Sequence, residues 1–233
     1  MQSNLIRFAA LPILIALVPS PAFADALQQQ IVAGARAVAV EDFSFTQTSF
    51  NQRNGQAVKE YITTYDPAKA KASRWALIKA EGRAPTPKET AALAKRSSSG
   101  QVPSYADIAK WFGAPATREA TGKTSVTYRF AALPAGSIKF GSHDASANTA
   151  ALAVVNISGA TPFVERVQLT TGKPFRMMMV AKINQMEMTA TYQMMGNGKP
   201  AITSTTANMT GSLMGKAGWF KMRASFSDIR TVR

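Results

Sequence analysis

Three groups of residues have types that could do chemistry: one histidine, a scatter of carboxylates and a run of methionines. The histidine, His143, stands in Gly141-Ser-His-Asp144. A serine or threonine nucleophile needs a base, and His143 is the only imidazole in the chain. Asp144 is its neighbour in sequence, which is not the spatial relation of a catalytic triad, and no Gly-x-Ser-x-Gly elbow occurs. A loop histidine is therefore favoured over a catalytic one. With one histidine and no cysteine, only carboxylates remain to build a zinc site. Phosphate-loop and dinucleotide fingerprints are missing as well.

The carboxylates Asp42, Glu60, Asp66, Glu81, Glu165 and Glu187 fall on different elements, and no spacing selects two of them as an acid and base pair. The sequence thus predicts a non-enzyme with no catalytic residue, metal or cofactor. Beyond Met1, every methionine lies between Met177 and Met222, in groups such as Met177-Met-Met179, Met186-Glu-Met188 and Met194-Met195. Thioethers can hold Cu(I), but no histidine or cysteine accompanies them here, so copper is the lesser alternative. In an extended chain Met186, Met188, Ala190, Tyr192 and Met194 share one face, and so do Phe175, Met177, Met179, Ala181 and Ile183. That face is apolar. It is either a packed core or the lining of a cavity, for which flexible methionine is well suited. A bulge near Asn184-Gln185 would reverse which methionines point inward.

These residues need a sheet to position them. Residues 43–50 alternate β-branched and aromatic side chains, Asn54-Gly55 is a strong hairpin signal, and 58–65 reads as the returning strand. A third strand spans 74–80. From Thr124 onward strands are predicted at 125–131, 150–157, 164–171, 175–183, 186–195, 202–209 and 220–226, with Gly, Pro and Asn between them. Helical spacing marks 25–40, although Gly34 weakens it. Thr86-Pro-Lys-Glu89 is a capping box with proline at the first helical position, predicting a helix to about Arg96. Ser104 can cap a second at 105–112, ended by Gly113. The expected fold is mainly β with some α: a curved antiparallel sheet or unclosed barrel, an N-terminal helix, and two lid helices inserted at about 85–113.

The chain has 233 residues. Its start, with Arg7, an apolar run over 8–18 and Pro19-Ser-Pro-Ala-Phe-Ala24, has the order of a cleavable signal peptide. The expectation is a leader at 1–24, a single β-rich domain at 25–233 and a periplasmic location, with no transmembrane segment after cleavage. Export permits disulfides, but without cysteine the fold must stand on its core. The formal charge of +14 favours acidic partners. Lysine and arginine are scattered rather than striped with aromatics, so nucleic acid is not expected. Anionic lipid head groups or acidic envelope proteins fit the charge better; a solvated basic surface that aids solubility fits it too.

The helix, Asp42-Phe-Ser-Phe-Thr-Gln47, hairpin, Trp75 strand, inserted helices and antiparallel run together resemble the periplasmic lipoprotein carriers of the LolA and LolB type. The resemblance implies an unclosed barrel under a helical lid that shelters acyl chains. Those carriers place Arg-Pro before the strand after the hairpin, whereas this chain has Asp66-Pro67, so no functional arginine transfers to it. The expected ligand is an acyl chain, lipid or other apolar molecule on the concave face. Phe45, Trp75, Leu77, Met177, Met179, Met186 and Met188 are expected to touch it, and Trp111 and Phe112 to cover it. The alternative from another class is an envelope scaffold with a filled core, and behind it stands a carboxylate-dependent hydrolase, which would need two acidic side chains converging in a cleft.

Overall fold

A computed structural model describes residues 25–97, 104–140, 143–178 and 181–232. The expected leader at 1–24, residues 98–103 of the polar linker, and Met179 lie outside them. Helix α1 (Ala26–Arg36) begins where the Asp25 carboxylate accepts from the Gln28 backbone N–H at 2.8 Å, satisfying a donor the helix itself leaves free. Its buried face is Gln28, Ile31 and Ala35, one residue per turn. The predicted helix ran on to residue 40. It stops at Arg36 because the chain must turn so that Val38 and then Asp42 are buried at the sheet.

Strands β1 (Phe43–Arg53), β2 (Lys59–Tyr65) and β3 (Trp75–Ala80) form a meander. Asn54 and Gly55 both take positive φ, as the hairpin signal requires. β1 nevertheless runs past its last partner in β2, because Arg53 pairs with Phe220 on its other side. Helix α2 (Pro87–Ser97) packs on β3, and α3 (Asp107–Trp111) packs on α1. There follow β4 (Thr117–Thr121), β5 (Ser125–Phe130), a short ribbon of β6 (Lys139–Phe140) and β7 (His143–Asp144), β8 (Thr149–Asn156), β9 (Phe163–Thr171), β10 (Phe175–Met178), β11 (Ala181–Met194), β12 (Pro200–Leu213) and β13 (Lys216–Thr231).

The main sheet is antiparallel in the order β3-β2-β1-β13-β12-β11-β9-β8-β5-β4, with β10 as a flap on β11; it is curved and does not close into a barrel. Pairing of β1 with β13 joins the first and last strands in the interior of the sheet and leaves β3 and β4 as edges. Register shifts between Ile183/Gln185, Thr191/Tyr192 and Ser44/Thr46 supply the curvature, since an extra residue on one strand bends and twists it. The bulge at 183–185 keeps both Ile183 and Met186 inside, although they are three apart.

The core lies on the concave side, where Ile31, Ile108, Phe112, Tyr128, Phe130 and Val164 are almost wholly buried. α3 is bolted across it. Tyr105, just before α3, accepts from the Val164 backbone N–H at 2.8 Å and meets Tyr192 edge to face at 5.2 Å. The capping box is formed as predicted: Thr86 Oγ1 accepts from the Glu89 N–H, and the Glu89 carboxylate accepts from the Thr86 N–H at 2.8 Å. Arg83 adds a two-pronged ion pair to Glu89 at 2.9 Å on each arm.

The bonds from Arg83, and then those from Thr86, hold the Glu89 carboxyl at about 2, against its usual 4.5. A depressed carboxylate favours the folded state above the unfolded value, and that contribution fades as pH falls toward the folded one. The melting temperature is therefore expected to drop between pH 4.5 and about 2. Glu89→Gln should be less stable than wild type at neutral pH and show a shallower acid slope, which thermal unfolding across that range measures.

Candidate functional site

Between α3, the segment leading into β6, and the middle of the sheet lies an open cleft of about 300 Å³. Its floor comes from four adjacent strands: Val167 and Leu169 of β9, Met188 and Tyr192 of β11, Ile202 of β12 and Met222 of β13. Neighbouring strands bring these residues into reach. Met188 and Met222 both face Ala207, one on each side of it. The bulge at Thr191/Tyr192 allows Ile202 and Thr205 to reach the same cleft although they are three apart. The roof is Trp111 with Asp107 on α3, and Ile138 with Phe140 opposite.

Among the described residues, the charged side chains lining the cleft are Asp107 and Lys139. Burial raises the Asp107 carboxyl above its ordinary value, an effect opposed by the Lys110 ammonium and a backbone hydrogen bond from Ser104. Burial, with the Asp107 charge added, pushes the Tyr192 hydroxyl up as well. Ser137 Oγ is buried in the wall with no hydrogen-bond partner. The cleft is a mainly apolar trough with a few polar groups.

Of the residues expected to touch a ligand, Trp111 and Met188 line the cleft together. Phe45 does not. It lines a separate hollow of about 20 Å³ and stacks with Tyr65 at 5.2 Å, while Trp75 and Phe226 meet its ring edge-on. Trp75 thus belongs to an aromatic cluster under β3, and Leu77 sits half-buried on that edge strand. Phe112 is buried against Tyr128 and Phe130, and Met186 is sealed in the core one row beyond Met188. Met177 stands in β10, and Met179 lies outside the described residues.

His143 pairs with Phe140 in the β6–β7 ribbon, its ring stacks on Phe175 at 4.9 Å, and its buried Nε2 has no partner. Asp144 does not serve it. That carboxylate accepts from the Ser146 hydroxyl and N–H and from the Gly136 N–H, which bind it at about 2 and brace the loop. The other carboxylates are dispersed: Asp42 holds Lys199 at 2.8 Å, Asp66 accepts from the Ala68 N–H at 3.0 Å, and Glu187 accepts from Gln168 at 2.8 Å. Among the described residues no group of three or more His, Cys, Asp or Glu side chains could hold a metal ion, and no helix is long and apolar enough to cross a membrane.

Tyr192 lies on the strand face the sequence assigned to Met188, whereas Asp107, Lys139, Ser137 and Met222 carry no individual signal in the sequence. Asp107 reads there as an ordinary acidic residue in the first turn of a helix, and Met222 lies more than thirty residues from Met188. Comparison of the chain with protein-family models, with curated proteins and with solved structures finds no match.

Proposed function

We propose that the protein is an exported, non-enzymatic binding or carrier protein that holds an acyl chain or similar apolar ligand in the cleft beneath α3. The observation that carries this reading is the cleft itself. A volume of about 300 Å³ falls at the lower end of small-molecule sites, and an apolar trough with a few polar groups at its wall is the usual form of such sites. Met188 and Met222 suit a chain of variable length and branching, because thioether side chains re-pack at little cost. Lys139 offers the ligand's polar end a positive charge. An export signal and a periplasmic workplace belong to the same proposal, and so does kinship with the LolA-type carriers.

Trp111 gives the test its probe. With Trp75 and Trp219 replaced by phenylalanine, it is the remaining tryptophan of three. A fatty acid brominated along its chain is expected to quench its emission, since bromine quenches only on close approach. Met188→Glu sets a charge on the apolar floor and should weaken that binding by at least roughly a hundredfold, because an unpaired buried charge costs several kcal/mol. Native mass spectrometry of gently purified protein should show a lipid or acylated peptide that Met188→Glu loses. An apo mass, with no quenching by fatty acids, phospholipids or acylated peptides, would sink the carrier reading in favour of a scaffold.

A further inference from the structure

We propose that the end of the sheet carrying the β12–β13 turn is a docking surface for an anionic lipid bilayer. The turn is a two-residue connection, Met214-Gly215, closing the pair Leu213 and Lys216. Leu213 is 59% exposed and Met214 77%. Met214 also adopts φ +51, a conformation that favours glycine or asparagine, so the turn geometry does not explain the choice of methionine. The β1–β2 turn reaches toward the same end, where the Trp219 N–H donates to Asn54 Oδ1 at 2.6 Å. Two of the five large apolar side chains most exposed among the described residues sit side by side at one turn of the sheet.

The charge there has one sign. Residues 171–186 and 209–220, which build this end from β10 to β13, contain four lysines and arginines and no aspartate or glutamate. Lys182 lies directly across from Ser212, and Lys216 across from Leu213, so two cations flank the apolar tip. Trp219 lies farther up β13 with the Lys221 ammonium 5.3 Å from its ring centre, a pairing suited to the boundary between lipid tails and head groups. The tip is an exposed apolar pair flanked by two cations. It matches a surface that is anionic outside and apolar beneath. This inference stands whether or not the cleft, about 25 Å back along β12, takes an acyl chain.

The experiment is flotation of the full chain with vesicles of pure phosphatidylcholine, and with vesicles of equal parts phosphatidylcholine and phosphatidylglycerol. The wild type is expected to float with the anionic vesicles alone, and less so as salt rises. Leu213→Asn with Met214→Asn should lower the bound fraction roughly tenfold. Met214→Asn relieves the turn, so a structural role would leave binding unchanged while this role loses it. Lys182→Glu with Lys216→Glu should lower binding by a similar factor, roughly tenfold. Wild-type protein that stays in solution with both vesicles overturns the proposal. Flotation that follows the lysines but ignores Leu213 and Met214 also overturns it, assigning the attraction to the basic surface as a whole. Uptake of an offered fatty acid, read by native mass spectrometry in the same variants with all three tryptophans kept, separates the two proposals: Met188→Glu should lose uptake and keep flotation, and the tip variants the reverse.

Discussion

Replacing Gly211 with alanine is expected to destabilise the protein by about 3 kcal/mol, while the same change at Gly34 stabilises it by about 1 kcal/mol. At Gly211, in β12, an added Cβ would sit 2.2 Å from the carbonyl oxygen of Lys182 and 3.3 Å from the Ile183 Cα. Both are backbone atoms at the start of the 183–185 bulge, so neither can swing aside as a flexible side chain would. The strand or its bulge must move, and with them the row that carries Met186 and Met209. At Gly34, inside α1, an added Cβ meets nothing within 4 Å. There alanine only removes backbone freedom that the unfolded chain enjoys. Thermal melts of the two variants should diverge by roughly 10 °C for a domain of this size. A Gly211→Ala melt within a degree of wild type would mean that β12 and the bulge do not approach this closely.

Where the sequence announced structure, it did so through local chemistry. Asn54-Gly55 takes positive φ at both positions, and Thr86 and Glu89 cap each other, because both signals depend on a few adjacent residues. Signals that depend on a partner were harder to see. Strand β4, Thr-Arg-Glu-Ala-Thr, is exposed throughout, so it lacks the apolar alternation that marks a strand and exists by pairing with β5. The break expected between 183 and 186 is a bulge inside one continuous strand, β11. β12 and β13 run several residues beyond their expected ends because Met214-Gly215 closes them tightly without the usual asparagine.

The site follows the same division. Trp111 and Met188 were legible because an aromatic at a helix end and a methionine on an apolar strand face are unusual by themselves. Phe45 and Trp75 carried an equally strong aromatic signal, yet they fill one another's space with Tyr65 and Phe226. Composition cannot distinguish a ring that lines a cleft from one that closes it. Register and curvature decide that, and both are set by the bulges. Tyr192 follows Met188 by simple alternation, but Ile202 enters the cleft because a bulge on β12 shifts the pairing beside it.

Gln28→Leu is expected to lower stability by about 2–4 kcal/mol and to weaken ligand binding in the cleft as well, although Gln28 does not line it. Its side chain is 2% exposed, and its Nε2 donates to the carbonyls of Phe112 at 2.7 Å and Ala114 at 2.8 Å. Those carbonyls sit where α3 ends and has no partners of its own for them. Leucine would leave both buried and unsatisfied, so the end of α3 that carries Trp111 should lift toward water. The sharper variant is Gln28→Glu, which places an acceptor against two acceptors. Its carboxyl would be held protonated in the folded state, so its folded pKa would rise above the unfolded value. A raised pKa means that the folded state binds the extra proton, and stability falls as pH rises through that range. Gln28→Glu should therefore melt closest to wild type in mild acid and lose ground toward neutral pH, while Gln28→Leu should follow the wild-type pH profile at a constant deficit. Trp111 emission, recorded through the same titration, should shift toward that of exposed tryptophan as the Gln28→Glu protein is brought to neutral pH, tying the roof of the cleft to a hydrogen bond made on its far side.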